Sequence, residues 1–152
     1  MSISLELVTE LHVKIAEPLD LGHTPQGWRR VIPITGGTFE GPKLRGKVLP
    51  GGADWNVLHP DGRGHLYARY TIETDDGALI SVLNEGFSYT TKDVLERRLR
   101  GEPVPPSEYY IKTIPRFETA SEKYYWMNYS VFVGTLNLHP GGGVQLQFYL
   151  VK

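Results

Sequence analysis

HLYARYTIETDDGALISVLNEGFSY, residues 65–89, decides the fold. In its first half Leu66, Ala68, Tyr70 and Ile72 fall on one parity, and Tyr67, Arg69, Thr71 and Glu73 on the other. That is the period of a strand with unlike faces. A second patterned run, ALISVLNEGFSY, follows after Asp75-Asp76-Gly77. An Asp-Gly step between two such runs is a hairpin signal, because glycine takes up the positive φ of a tight turn without steric cost. The chain is therefore read as antiparallel β structure.

Working outward, the same period recurs. Ile3, Leu5, Leu7, Leu11, Val13 and Ile15 share one parity at the N-terminus, interrupted only by Thr9. WRRVIPITGG (28–37) is a further strand, and another runs from Leu44 through Trp55, interrupted by Pro50-Gly51-Gly52. Within a strand such a break marks a bulge or sharp corner. SEYYIKTIPRFET (107–119), KYYWMNYSVFVGTLNL (123–138) and VQLQFYLVK (144–152) complete the set. One helix is expected around residues 91–100, capped by Thr90 with Asp93 three residues on and ending at Gly101 before Pro103. Its basic last turn suits the negative end of the helix dipole. About eight strands in meandering order predict an all-β, antiparallel closed barrel, lipocalin-like in shape, because closure removes exposed edges. An open sandwich is the alternative.

At 152 residues this is one domain with room for a substantial core. Sixteen basic against seventeen acidic residues leave a net charge of −1, so there is no basic footprint for nucleic acid or for an anionic membrane. The lack of cysteine excludes disulfides, thiolate catalysis and cysteine-held metal sites. No apolar block resembles a signal peptide or a spanning helix, so a cytoplasmic protein is expected. The 17 glycines and 11 prolines sit at the ends of patterned segments and act as turn punctuation.

Several motifs tempt and fail. GPKLRGKV (41–48) has the spacing of a phosphate-binding loop, but Val48 stands where a hydroxyl should hold magnesium, and a strand follows where a helix is needed. The five histidines, His12, His23, His59, His65 and His139, show no metal-ligand spacing, so no metal is expected. No Gly-x-Ser-x-Gly elbow is present for serine hydrolysis.

The remaining candidates are polar and aromatic. Asp54, beside Trp55, is either a partly desolvated general acid/base or a turn aspartate bonded to the amides of the glycine bend. Read as a strand, 123–130 places Tyr124, Trp126 and Asn128 on one face, with Tyr110 and Lys112 sharing a face of the preceding strand. Glu118 lies near the turn between them, and Arg69 sits on a polar strand face. Arg29 and Arg30 lie on opposite faces, so at most one enters a lumen. Parity alone leaves open which faces line it.

RRVIPITGGTFEGPKLRGKVLPGGADW (29–55), ARYTIETDDGALISVLNEG (68–86) and PSEYYIKTIPRFETASEKYYWMNYSVFVG (106–134) resemble the uncharacterised protein family 0311, also known as domain of unknown function 3237. The likeness spans roughly Leu5 to Val151. It implies a small, mostly bacterial β-barrel and carries no activity. It draws attention to Asp54, Trp55, Glu118, Tyr124, Trp126 and Asn128. Lys112 and Met127 stand where relatives are expected to have Arg and Leu. The first change exchanges a bidentate anion clamp for a point charge.

The reading that follows is a lumen for a compact organic molecule, aromatic or carboxylate in character. In its enzymatic form Asp54, Arg69 and Glu118 are the catalytic candidates, with Asp54 as general acid/base. Arg29, Trp55, Tyr110, Tyr124, Trp126 and Asn128 are the ligand-binding ones. Isomerase- or lyase-type proton transfer beside a carbonyl needs no cofactor. The alternatives are a non-catalytic carrier and a structural barrel that forms a homodimer through exposed tyrosines.

Overall fold

The computed structural model describes residues 2–139 and 142–152. Its strands are β1 (Leu5–Ile15), β2 (Leu19–Thr24), β3 (Gly27–Glu40), β4 (Gly46–Val48), β5 (Gly52–Leu58), β6 (Arg63–Thr74), β7 (Leu79–Tyr89), β8 (Tyr110–Glu118), β9 (Phe132–Leu138) and β10 (Val144–Val151). One α-helix, α1 (Lys92–Leu99), joins β7 to β8. The sheet runs β1-β10-β9-β8-β7-β6-β4-β3. It closes on itself because the second half of β3 also pairs with β1, from Glu10↔Glu40 to Ile15↔Ile34. β4 and β5 occupy one place between β3 and β6. The chain is thus a closed antiparallel barrel of eight staves, one of them broken, as the sequence led us to expect. β2 has no counterpart in that expectation and lies outside the ring, paired to the first half of β3.

The break is the Pro50-Gly51-Gly52 corner. Gly51 has φ +107°, which a side chain would strain. Gly52 is needed for a different reason: a Cβ there would stand 2.4 Å from the Arg69 carbonyl oxygen and 2.5 Å from the Tyr70 Cβ. The stave can therefore turn only where it has no side chain, and this turn sets the inward face of β5.

Parity identifies the inside. Val13, Leu11 and Thr9 of β1 face Val144, Leu146 and Phe148 of β10, and all but Val144 are buried. A register shift between Leu7 and Thr9 flips the strand. Ile3 is consequently 77% exposed, and Thr9, which looked like an interruption, belongs to the interior. At the β6–β7 hairpin end the barrel is filled by Phe39, Val48, Ile72, Ile80, Val82 and Phe117.

Two local expectations are corrected. The helix is capped by Thr91, whose hydroxyl accepts from the Val94 amide at 3.3 Å, one residue later than expected. The first part of KYYWMNYS is not a strand. Residues Tyr125–Asn128 form a 3₁₀ turn, so Tyr124, Trp126 and Asn128 share no strand face. The Asn128 side chain accepts from the Thr119 amide and donates to the Thr119 and Tyr125 carbonyls, folding the segment over the hairpin end. Tyr124 is buried there, with its hydroxyl on Asp76 of the hairpin turn. Lys123 and Thr74 also bond Asp76, and together with Tyr124 they hold its carboxyl down to about 2.

Gly52→Ala is expected to destabilise the protein by roughly 1–3 kcal/mol, the cost of forcing a methyl against backbone. Urea denaturation measures it, and an unchanged midpoint would mean that the corner is not close-packed.

Candidate functional site

The other half of the lumen is polar. Asp54 pairs across the sheet with Ile32 of β3 and Ala68 of β6, and Ala68 with Asn84 of β7. One step toward the helix end, Arg30 pairs with Asn56, and Gly86 with Thr113 of β8. Alternation from the buried core puts Arg30, Asp54, Asn56, Tyr70, Asn84 and Thr113 on the inward face. Tyr70, Asn84 and Thr113 are 6%, 3% and 1% exposed.

Asp54 is the last paired residue before a gap in the β5–β6 ladder. Residues 55 and 56 have no ladder partner on β6, and the amide of Tyr67, which faces the gap, donates to Asp54 Oδ1 at 2.8 Å. The carboxylate does the work of a missing backbone carbonyl. It does not bond the glycine bend, the alternative that the sequence allowed. Its other oxygen accepts from Asn56 Nδ2 at 3.4 Å, and Asn56 Oδ1 accepts from Arg30 Nη2 at 2.9 Å. Burial raises the Asp54 carboxyl above the ordinary aspartate range, against the Tyr67 and Asn56 hydrogen bonds and the charges of Arg30 and His65. The chain Arg30–Asn56–Asp54 is thus a partly desolvated acid/base group with an oriented neighbour.

Around it, hydrogen-bonding capacity is left over. Arg30 Nε, Tyr70 Oη, Asn84 Oδ1 and Thr113 Oγ1 are buried and have no partner within the described protein. A buried polar group without a partner costs about 1–3 kcal/mol, so four on one face are expensive unless a guest completes them. Thr113 lies between two glycines of the neighbouring staves. A Cβ on Gly86 would come within 2.7 Å of its methyl, and one on Gly134 within 2.4 Å of its hydroxyl. α1 follows β7 at this end, with Val94 buried and Arg98, one turn on, half-buried.

The structure separates most of the residues that the sequence singled out. Only Asp54 among them reaches the polar lumen. Trp55 points the other way, 42% exposed, and Arg29 lies outside with its Nη1 on the Trp55 carbonyl at 3.1 Å. Arg69 is exposed on the outer face of β6, and Glu118 on the outer face of β8, so neither meets Asp54. Tyr110 is also outside, under Lys112. Tyr124, Trp126 and Asn128 build the plug at the opposite end, where Trp126 packs on Phe132 and under Lys43. Of the residues that were missed, Asn84 and Thr113 carried one signal, since each is polar at a parity position shared with apolar neighbours, whereas Asn56, next on its parity to Asp54, carried none. Among the described residues, no three His, Asp or Glu side chains cluster to hold a metal ion.

Comparison with known proteins places this chain among relatives. A family model described as a protein of unknown function (DUF3237) matches residues 3–151. A UPF0311 protein of Clostridium acetobutylicum is 39% identical over 151 residues, covering 99% of this chain and 95% of its own. One from Rhodopseudomonas palustris is 38% identical over 138 residues, covering 91% and 90%. Among solved structures, a beta-barrel like protein from Acinetobacter baumannii is 40% identical with a TM-score of 0.86, covering 100% and 98%. An enzyme from Penicillium herquei shares the fold at a TM-score of 0.75 and 22% identity, covering 100% and 96%.

Because the folded-state pKa of Asp54 is raised, the folded protein holds that proton more tightly than the unfolded chain does. The stability from this group is full below the unfolded pKa and lost as pH rises through the folded one. Asp54→Asn removes that slope. The stability of the variant relative to the parent should therefore rise as pH climbs from acid toward neutrality. Chemical denaturation across pH reads it; a difference that is flat or falls with pH contradicts the burial of a titrating carboxyl.

Proposed function

We propose, from the premise that the chain belongs to the DUF3237 family of proteins of unknown function, that its lumen binds a small carbonyl compound and moves a proton on it. The single observation that carries this reading is a desolvated carboxyl, Asp54, among buried polar atoms that the protein leaves without partners. A general base needs a raised pKa and a reachable substrate proton. An enolate needs donors where its oxygen becomes negative.

In this reading the Asp54 carboxylate takes a proton from the carbon beside a carbonyl. The C–H electron pair becomes the C=C bond of the enolate, and the carbonyl π pair moves onto oxygen. Thr113 Oγ1 or Tyr70 Oη donates to that oxygen, with the Arg30 guanidinium close by. Asp54, now protonated, returns the proton to carbon, and isomerisation results if it does so at another position or face. Asn56 is a positioning residue: it bonds Asp54 on one side and Arg30 on the other. The same fold in an enzyme from Penicillium herquei is compatible with catalysis and adds no chemistry to it. The carrier reading keeps the same lumen and omits the proton transfer.

A separate observation supports assembly as well. Phe87, Tyr110 and Ile114 on β7 and β8, with Leu5 and Tyr149, line a groove on the outer wall. An apolar outer face of this kind suits a homodimer.

The test is proton exchange. Small carbonyl compounds, including 2-oxo acids, are incubated with the protein in deuterium oxide and followed by NMR. The native protein should speed deuterium entry beside the carbonyl, and Asp54→Asn should slow it by on the order of 100-fold or more with an unchanged circular dichroism spectrum. Equal exchange by both proteins would remove Asp54 from the chemistry. Binding without exchange by the native protein would favour the carrier.

A further inference from the structure

We infer that Asn84 reads a hydroxyl on the lumen's guest, so that the molecule taken there is a small hydroxy-carbonyl compound lying between Asp54 and Asn84. The inference rests on the lumen reading above and names the class of molecule that the lumen takes.

Ala68 of β6 is the common neighbour of the two residues. It pairs with Asp54 of β5 on one side and with Asn84 of β7 on the other, and all three face inward. Two strand spacings put the backbones of Asp54 and Asn84 about 10 Å apart, and in their row only the Ala68 methyl stands between them. The space in front of that methyl is open. Ala68 and its inward neighbour Leu66 are only half-buried although they face a closed interior. Ile72, at the filled end of the same strand, is 1% exposed. A molecule of a few heavy atoms bridges such a span from carboxylate to carboxamide.

Asn84 has no other use for its oxygen. Oδ1 is buried and without a partner among the described residues. Across the sheet Asn84 pairs with Ala68 and with Pro115 of β8, and its inward neighbours along β7 are Val82 and Gly86. None of these has a polar side chain. Tyr70 and Thr113, its diagonal neighbours, leave their own hydroxyls unpartnered and so do not bond it. A buried amide oxygen needs an O–H or N–H donor. A plain ketone has no such donor to give. A hydroxyl has one, and its lone pairs accept in turn from the Tyr70 or Thr113 hydroxyl. A site built to bond a buried hydroxyl rejects analogues that lack it, because they leave the site's own group unpaired.

The experiment measures Kd by NMR for hydroxyacetone and 2-hydroxyacetophenone, each beside its methyl ether and its deoxy parent. The ether keeps the oxygen and loses the donor, and the parent ketone loses both. The native protein should bind at least one hydroxy ketone about tenfold or more tighter than both of its analogues. Asn84→Val should abolish that preference by weakening the hydroxy ketone alone, and Asn84→Ala repeats the comparison should valine pack badly. No saturable binding of either hydroxy ketone would overturn the inference. So would an ether or parent that binds the native protein as well, or a preference that survives both substitutions. Deuterium exchange with Asp54→Asn separates the two claims. A hydroxyl preference that depends on Asn84, in a protein whose exchange ignores Asp54, upholds the inference and removes the proton transfer. Exchange that depends on Asp54 but is equally fast for alcohol, ether and parent removes the inference and keeps the transfer.

Discussion

Closure of the barrel makes strand parity a choice between solvent and a sealed interior, and everything else in the molecule follows from how that interior is filled. The closing contact is the pairing of β1 with the far half of β3. Once it forms, each inward position must be packed or hydrogen-bonded, because a closed ring offers its polar groups no edge and little water. The hairpin end meets this demand with phenylalanine, isoleucine and valine, under a plug held by Tyr124 and Asn128. The helix end meets it only in part, with Arg30, Asp54 and Asn56 bonded to one another while Tyr70, Asn84 and Thr113 keep buried polar atoms without a partner among the described residues. One barrel thus holds an apolar half and a polar half.

Asp54 joins the two. Its bond to the Tyr67 amide bridges a gap in the sheet, and burial raises its carboxyl above the ordinary aspartate range, which is what the proposed function asks of an acid/base group. A side chain that closes a ladder is fixed in place, and a fixed carboxyl is the kind that proton transfer requires. The broken stave has the same double sense. Without the glycine corner, β5 could not approach β6 at Tyr70, and the inward parity of Asp54 and Asn56 would be set by some other turn.

The fold was legible because strand period and turn chemistry are local. Asp75-Asp76-Gly77 marks its hairpin, and Pro50-Gly51-Gly52 its corner, without reference to anything distant. Ile3 and Leu5 misled because a bulge before Thr9 shifts parity by one residue, and nothing in LELVTEL announces it. Of the candidate site, only Asp54 was legible. KYYWMNYS alternates like a strand, yet it folds as a 3₁₀ turn because Asn128 bonds back to Thr119, a contact set by tertiary structure. Arg69 and Arg30 look alike in sequence; only register tells that one faces solvent and the other the lumen. Asn84 and Thr113 could have been found by asking which polar residues interrupt an apolar parity.

The most direct test is the electron density inside the barrel of the crystallised protein. The account predicts ordered density in the helix-end half of the lumen, within hydrogen-bonding distance of Tyr70 Oη, Asn84 Oδ1, Thr113 Oγ1 and Arg30 Nε, with Asp54 at its edge. A lumen in which these side chains have turned to bond one another, leaving Asp54 walled off by protein, would contradict it.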